Sequence, residues 1–512
     1  MPTDVRELLG IPYGIAPVGE RRFRRAEAAP APDWSSSSPT RYDTFGPSPM
    51  QSREGMLATA VPGMDPGPVS EDCLSLNVWT PAGAGERMPV MVWLYGGAFI
   101  VGGSASPTYH GAALASEQHV VVVSINYRVG AFGFLDLRDV PGGETAEPNC
   151  GSHDQRLGLQ WVHDHIGELG GDPDRITVFG ESGGAGSIMN LLTTPGLTSV
   201  VRRAIVQSPG VDFTQRAETS TRVTEALLKE TGAQTVDDLR ALSAEQLLDA
   251  QSNVANQLLF SIGTMPFHPV VDEVFVTTTP TAAVAAGMVD ELDLLIGFTA
   301  DEMRLFPDPR ADALGRDGLA KWTRQYLTSR MGSDPGLDIA ARLAGAYIDR
   351  AAGSARPAGS DVWAEINTDG IMRLPVVRIL DSRRGPAATY GYLFAWQARR
   401  SDGRDVGAFH AIDLPFVFDA FGSGEGSWGD FIGADESAIA VGRALRSAWA
   451  SFAATGDPSC AALGAWPEYD TTRRSTMVID TTPRVVDDPL ATERGWWDGL
   501  WDPSCVPAGV AL

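Results

Sequence analysis

The sequence predicts an α/β protein: a central, mostly parallel sheet flanked by helices, with helical insertions capping one end. Three observations carry this. Short Val- and Ile-rich runs recur along the chain, as strands buried on both faces require. Amphipathic stretches of helical period separate them, and one run leads through G-x-S-x-G directly into a helical segment. In chain order the strand runs are residues 90–95, 120–126, 176–179, 204–207, 292–297, 392–395 and 477–479. Between the second and third, Leu157, Trp161, Val162, Ile166 and Leu169 recur at helical spacing and stop at Gly170-Gly171. Glycine ends a helix because it enters the left-handed region freely, so this stretch reads as a crossover helix. Residues 212–290 and 303–385 carry Ala, Leu, Glu and Arg in helical patterns with few strand signals, and read as capping insertions within one domain spanning 1–512. The Pro- and Gly-rich piece 46–68 reads as a surface loop.

Composition narrows the partners. The chain has 512 residues, 43% apolar and 20% charged, enough for a large core and too apolar for disorder. Its 40 Lys+Arg against 64 Asp+Glu give a formal charge of −24, which repels phosphate backbones and anionic bilayers. Nucleic acid and membrane are therefore excluded as partners. The basic residues are almost all Arg, with lysine only at Lys229 and Lys321. Cys73, Cys150, Cys460 and Cys505 are dispersed and form no C-x-x-C pair, so reduced thiols are expected rather than a disulfide framework or a zinc site. The N-terminus shows no basic stretch followed by an apolar one. The most apolar stretch, 89–103, is interrupted by Gly96, Gly97, Gly102 and Gly103 and is too short for a span. The expectation is a soluble, cytoplasmic protein, monomeric or a small homo-oligomer.

The chemistry concentrates at Gly180-Glu181-Ser182-Gly183-Gly184, between the 176–179 run and a helical run from Ala185 to Leu192. A turn this tight needs glycine two residues before and two after the serine, and it lifts the hydroxyl above the sheet edge. A serine alone is a weak nucleophile; it requires a base, an acid to orient that base, and donors for the oxyanion. The 90–95 run ends in Gly96-Gly97-Ala98-Phe99, whose bare backbone offers N–H groups from an upstream loop.

These features, with Gly10-Ile-Pro-Tyr13, Arg22-Phe23, Glu71-Asp-Cys-Leu-Ser-Leu-Asn-Val-Trp79, Asn126-Tyr-Arg128, Asp154-Gln155, Gly171-Asp-Pro173, Gln207-Ser208, Asp301-Glu302, His410, Leu414-Pro-Phe-Val-Phe418 and Thr455-Gly-Asp-Pro458, resemble the type B carboxylesterases, the family of para-nitrobenzyl esterases and cholinesterases. The resemblance runs over about residues 10–480 and implies the α/β-hydrolase fold. It implies a triad of Ser182, Glu302 and His410, and an oxyanion hole from the N–H groups of Gly97, Ala98 and Gly183. Gly183 stands where the family usually has alanine, Met303 where a glycine usually follows the acid, and Leu169 where a phenylalanine is usual. Glu302 also follows the 292–297 strand, where α/β enzymes collect catalytic groups. The implied activity is serine carboxylesterase, acting on a small-molecule ester through an acyl-enzyme and needing no cofactor or metal. A carbamate or amide hydrolase would use the same groups. A non-catalytic interaction protein on this fold typically loses the serine, which is present here.

Other motifs weigh less. Gly424-Glu-Gly426-Ser-Trp-Gly429 matches G-x-G-x-x-G but follows no βαβ strand and is expected to open no helix. His163 and His165 lie two apart on a helix and share no face. The family's cholinesterases hold a quaternary ammonium on a tryptophan ten residues before the Cys73 position; here that position is Gly63, which argues against choline esters. The cysteine that usually opens that loop and bridges to the Cys73 position is missing from Gly46-Pro-Ser-Pro-Met-Gln51. The resemblance further implies that a Gly-Gly-Ala loop tolerates branched, including tertiary, alcohols.

Overall fold

Every run predicted as a strand lies in one ten-stranded sheet of the computed structural model, which describes residues 4–34, 41–55, 57–83, 85–210, 213–258, 265–331, 333–400 and 405–500. The strands are β1 (Val5–Pro12), β2 (Ser75–Pro81), β3 (Met88–Leu94), β4 (Val121–Ile125), β5 (Gly171–Glu181), β6 (Arg203–Gln207), β7 (Asp293–Thr299), β8 (Thr389–Phe394), β9 (Ser475–Ile479) and β10 (Arg484–Asp487). Their order is β1-β2-β4-β3-β5-β6-β7-β8-β9-β10, parallel from β4 to β9 and antiparallel at both margins. This is the α/β-hydrolase arrangement the sequence predicts.

Alternation along the central strands explains their near-continuous apolar reading. Val90, Val92 and Leu94 of β3 enter one core with Val123, Val178, Val206 and Ile296. Met91 and Trp93 enter the core on the other face, with Phe179, Ile205 and Leu295. Because successive side chains point to opposite faces and helices cover both, no position faces water. The crossover helix runs Cys150–His165 and tightens into a 3₁₀ turn at Ile166–Leu169, and Gly170 ends it at φ 88°. The elbow helix is Gly183–Leu191.

The stretches read as insertions hold the helices Ala217–Thr231, Val236–Ala241, Ala244–Leu258 and Pro280–Ala285, then Arg316–Met331, Leu337–Ala351, Gly359–Thr368 and Leu374–Ser382. A π-helical turn, Asp369–Arg373, joins the last two. A third apolar cluster gathers both stretches around Ala98 and Phe99, drawing on Phe213, Leu227, Leu247, Met265, Met303, Leu343 and Met372.

The structure also departs from the sequence reading. β1, β2 and β10 are strands that periodicity did not reveal. β1 carries a register shift between Leu8 and Ile11 that breaks its alternation, and β2, though wholly buried, overlaps the Glu71–Trp79 tract and runs on to Pro81. The 46–68 piece is only partly a surface loop. Ser48–Pro49 pairs with Val69–Ser70, and buried Gln51 exchanges hydrogen bonds with Gly102, donating to its carbonyl at 2.6 Å and accepting its N–H at 2.7 Å. Cys73, Cys150 and Cys460 are free thiols, while Cys505 lies outside the described residues. Among the described residues no helix is long and apolar enough to cross a membrane.

Candidate active site

Ser182 sits between β5 and its helix at φ 54°, ψ −122°, a backbone region that costs a side-chain-bearing residue about 1–3 kcal/mol. Backbone packing enforces it. A Cβ at Gly180 would meet the Leu94 carbonyl oxygen at 2.7 Å and one at Gly184 would meet it at 2.0 Å, so neither position admits any side chain. The Ser182 N–H donates to the Gln207 carbonyl at 3.0 Å, and its own carbonyl accepts from Gly186 at 2.8 Å.

The loop after β3 packs onto this elbow. A Cβ at Gly96 would lie 2.8 Å from the Glu181 carbonyl oxygen and 3.1 Å from Ser182 Cβ. Gly97, Ala98 and Phe99 follow with φ of 111°, 54° and 62°, a succession of positive values that turns their N–H groups out of any regular ladder. The loop closes on itself through Val101 N–H to Gly97 O at 3.1 Å and is anchored by Gly130 N–H to Phe99 O at 2.6 Å. A Cβ on Gly183 would stand 3.1 Å from the Ala98 nitrogen and 3.3 Å from that of Phe99. The helix N-terminus and the loop therefore face one another across a gap with no room to spare. Among the described residues the N–H groups of Gly97, Ala98 and Gly183 donate to no protein acceptor.

Glu302 opens the 3₁₀ turn Glu302–Leu305 just past β7 and is fully buried. Its Oε1 accepts the Ser208 hydroxyl at 2.6 Å and the Thr299 N–H at 2.7 Å. Its Oε2 meets His410 Nδ1 at 2.6 Å. His410 lies in the loop before the helix Leu414–Phe418, and its N–H donates to the Glu302 carbonyl at 3.0 Å. Its Nε2 lies 3.2 Å from Glu181 Oε1, the residue immediately before Ser182. The structure thus brings Ser182, Glu302, His410, Gly97, Ala98 and Gly183 to one end of the parallel strands.

Three carboxylates surround one imidazole. Burial opposes a charge on His410, yet Glu181 and the bond to Glu302 outweigh it and push its pKa up to about 9. Burial raises Glu181 to about 8, with His410 pulling the other way. Asp413, buried one turn beyond the histidine, rises to about 6 through burial, opposed by the amide of Gln207 that donates to it at 2.8 Å. Glu181, Asp413 and Ser208 were not picked out from sequence as site residues. Glu181 and Ser208 appear within motifs read from the sequence, the elbow and Gln207-Ser208, but without a role, and Asp413 shows only as lying three residues past the histidine.

Other sequence candidates fall elsewhere. His163 Nδ1 meets Asp164 at 3.0 Å and His165 Nδ1 meets Glu168 at 4.0 Å. Among the described residues no group of three or more His, Cys, Asp or Glu is arranged to hold a metal ion. The 424–429 stretch does open a helix, Trp428–Ile432, capped by Ser427, contrary to expectation. The element before it is the helix Leu414–Phe418 rather than a strand, so a phosphate-binding β-turn-α unit is not formed. Gly63 is pressed against Thr108, where a Cβ would meet Oγ1 at 2.2 Å, and that hydroxyl already accepts Trp428 Nε1 at 2.9 Å.

A strained serine elbow at the end of a central parallel strand, packed against an N–H-rich loop, with a buried carboxylate–imidazole pair at the same end of the sheet, is the arrangement of a serine hydrolase of the α/β-hydrolase class. The sequence matches the carboxylesterase family over residues 2–496, and the chain belongs to that family. It is 33% identical to the para-nitrobenzyl esterase of Bacillus subtilis (strain 168), covering 96% of this chain and 94% of that one. It is 32% identical to the phenmedipham hydrolase of Pseudarthrobacter oxydans, covering 94% and 93%. Among solved structures, a carboxylesterase of Geobacillus stearothermophilus superimposes with a TM-score of 0.81 at 36% identity, covering 97% of each chain. A thermophilic para-nitrobenzyl esterase gives 0.82 at 30% identity, covering 97% of this chain and 96% of that one. The protein is a serine carboxylesterase, a carboxylic ester hydrolase.

Proposed function

We propose that Ser182 is the nucleophile, His410 the general base, and Glu302 the acid that orients the base, with the N–H groups of Gly97, Ala98 and Gly183 binding the oxyanion. The 2.6 Å contact between Glu302 Oε2 and His410 Nδ1 behind the elbow carries this reading. Because Glu302 Oε1 is already occupied by two donors, Oε2 is left to accept Nδ1–H. That fixes the tautomer whose Nε2 lone pair takes a proton. Ser182 Oγ then attacks the ester carbonyl as its proton passes to Nε2, and the carbonyl oxygen gains charge in front of the loop donors. The imidazolium returns the proton to the departing alcohol, leaving Ser182 acylated. Water, deprotonated by the same nitrogen, releases the acid and restores the hydroxyl.

The apolar cluster around Ala98 and Phe99 supports small to medium, mainly apolar acyl groups. The lack of side-chain bulk along Gly96-Gly97-Ala98 supports acceptance of branched alcohols, tertiary ones included. The crowding at Gly63 leaves no place for an aromatic platform under a quaternary ammonium. The two helical stretches act as caps of a single catalytic domain, and the site of action is cytoplasmic. A second reading, hydrolysis of carbamates or amides by the same groups, is tested with phenmedipham, the compound in one relative's name, beside para-nitrobenzyl and tert-butyl esters. The primary experiment is mass spectrometry after organophosphate treatment, with the adduct expected on Ser182. Loss of activity with label on another residue would overturn the assignment.

A further inference from the structure

We propose that Arg356, on the turn between the helices Leu337–Ala351 and Gly359–Thr368, is a positioning residue for the acid–base pair. From the second capping stretch it ties the segment carrying Glu302 to the loop carrying His410. The inference rests on the triad assignment above and adds to it a residue that touches neither member.

The two segments meet as a short ladder. Asp301 N–H donates to Ala408 O at 2.8 Å, and His410 N–H donates to Glu302 O at 3.0 Å. Between them the Ala408 N–H is taken by a side chain, Asp301 Oδ2, at 2.9 Å. The other oxygen of that carboxylate accepts Arg356 Nη1 at 2.6 Å. The same guanidinium reaches the start of the histidine loop, with Nη2 donating to Asp405 Oδ1 at 2.8 Å and Oδ2 at 3.0 Å, and to Gln397 Oε1 at 2.9 Å. Gly407 crosses directly over this junction at φ 69°, where a Cβ would lie 2.4 Å from Asp301 Oδ2 and 3.1 Å from Arg356 Nη2. Arg304 reinforces the link, donating to Asp361 Oδ1 at 2.5 Å and to the Asp405 carbonyl at 2.8 Å.

Burial separates the Asp301 arm of this bridge from an ordinary surface ion pair, while the Asp405 side chain is 46% exposed. The Arg356 and Asp301 side chains are only 20% and 12% exposed, so water and salt screen the contact weakly. Without the guanidinium, two carboxylates face each other across the ladder, and their repulsion pushes the 405–408 loop away from Asp301. The displaced loop carries His410 two residues further on. A near-attack arrangement is sensitive to such shifts, a misplacement of about 1 Å costing on the order of 10²-fold in rate.

The test compares wild type, Arg356→Gln and Arg356→Lys on para-nitrophenyl butyrate, with Ser182→Ala as control. Arg356→Gln is expected to lower kcat by about 10- to 100-fold with KM within about twofold, since only the reacting pair moves. Arg356→Lys recovers part of the loss, because an ammonium reaches Asp301 but cannot also fork onto Asp405. The acid limb of the kcat/KM profile moves to lower pH in Arg356→Gln, as the Glu302 bond to the imidazole lengthens while Glu181 and Asp413 still face it. Should Arg356→Gln not fold, Asp405→Asn, which weakens one arm of the bridge without leaving two carboxylates opposed, is measured in the same way and is expected to shift the limb in the same direction by a smaller amount. An unchanged kcat, a fall in kcat with an unmoved pH limb, or no recovery by lysine each overturns the proposal. A Ser182→Ala enzyme that keeps its activity would instead overturn the triad assignment.

Discussion

The elbow that carries the proposed nucleophile and the pair proposed as acid and base are held by different means. Ser182 and the Gly96–Phe99 loop are fixed by backbone against backbone: Gly180 and Gly184 against the Leu94 carbonyl, Gly96 against Glu181, Gly183 against the Ala98 amide. Glu302 and His410 are fixed largely by side chains, through Ser208, Asp301, Arg356 and Arg304. The first half is therefore damaged by adding atoms and the second by removing a charge or a hydroxyl. A mutational scan that only truncates side chains would see one half and miss the other.

The largest expected effect sharpens this contrast. Ser182→Ala and His410→Ala each lower kcat by on the order of 10⁶-fold without unfolding the protein, checked by kcat beside a thermal melt. If His410→Ala kept most of its rate, the base would be another residue. Glu302→Gln comes next, at about 10⁴-fold. Its carbonyl oxygen is claimed by Ser208 and Thr299, which turns the NH₂ toward Nδ1 and stabilises the wrong tautomer. Single-turnover acylation is the measurement, and a loss equal to that of His410→Ala would show the acid doing more than orienting.

On the other side, Gly97→Val costs about 10²–10³ in kcat with little change in KM, because its Cβ would fall 2.3 Å from the Val101 carbonyl oxygen and displace the donors. An unchanged kcat would remove this loop from the mechanism. Smaller still is Glu181→Gln. His410 must be neutral to act as base, so activity rises as pH passes upward through its pKa, which Glu181 and Glu302 have raised to about 9. Deleting the Glu181 charge lowers that pKa, and the acid limb of the pH profile moves to lower pH; a limb that stays or moves upward contradicts the electrostatics. The smallest effect belongs to Gly183→Ala, which restores the family's usual residue. With the Ala98 nitrogen 3.1 Å from the new Cβ, the loop must yield by a few tenths of an ångström, and kcat is expected to change by less than about tenfold.

Sequence periodicity located the central strands because they are buried on both faces and read as continuous apolar runs. It missed β1, whose bulge scrambles the pattern, β2, although that strand is wholly buried, and β10, a marginal strand with no fully buried residue. The elbow and its glycines were legible because their spacing is a local steric demand. Glu302 and His410 came mainly through resemblance, with the place of Glu302 after the 292–297 strand as the one independent sign: each lies in a short segment that looks like a turn until the two meet in space. Asp301 showed only as the neighbour of Glu302, and Arg356 and Asp405 had no local signal, since a bridge between segments 49 and 55 residues apart exists only after folding. The sequence rule that a Pro- and Gly-rich piece is surface loop failed at Gln51, whose amide substitutes for a strand neighbour at Gly102.

The Glu302–His410 contact closes 108 residues of chain, a span that includes the helical stretch 303–385. Long-range closures of this kind are made late in folding. Enzyme activity regained on dilution from denaturant should accordingly lag behind far-ultraviolet ellipticity, which reports the helices and strands as they form. The lag would time the docking of residues 303–385 without any engineered label.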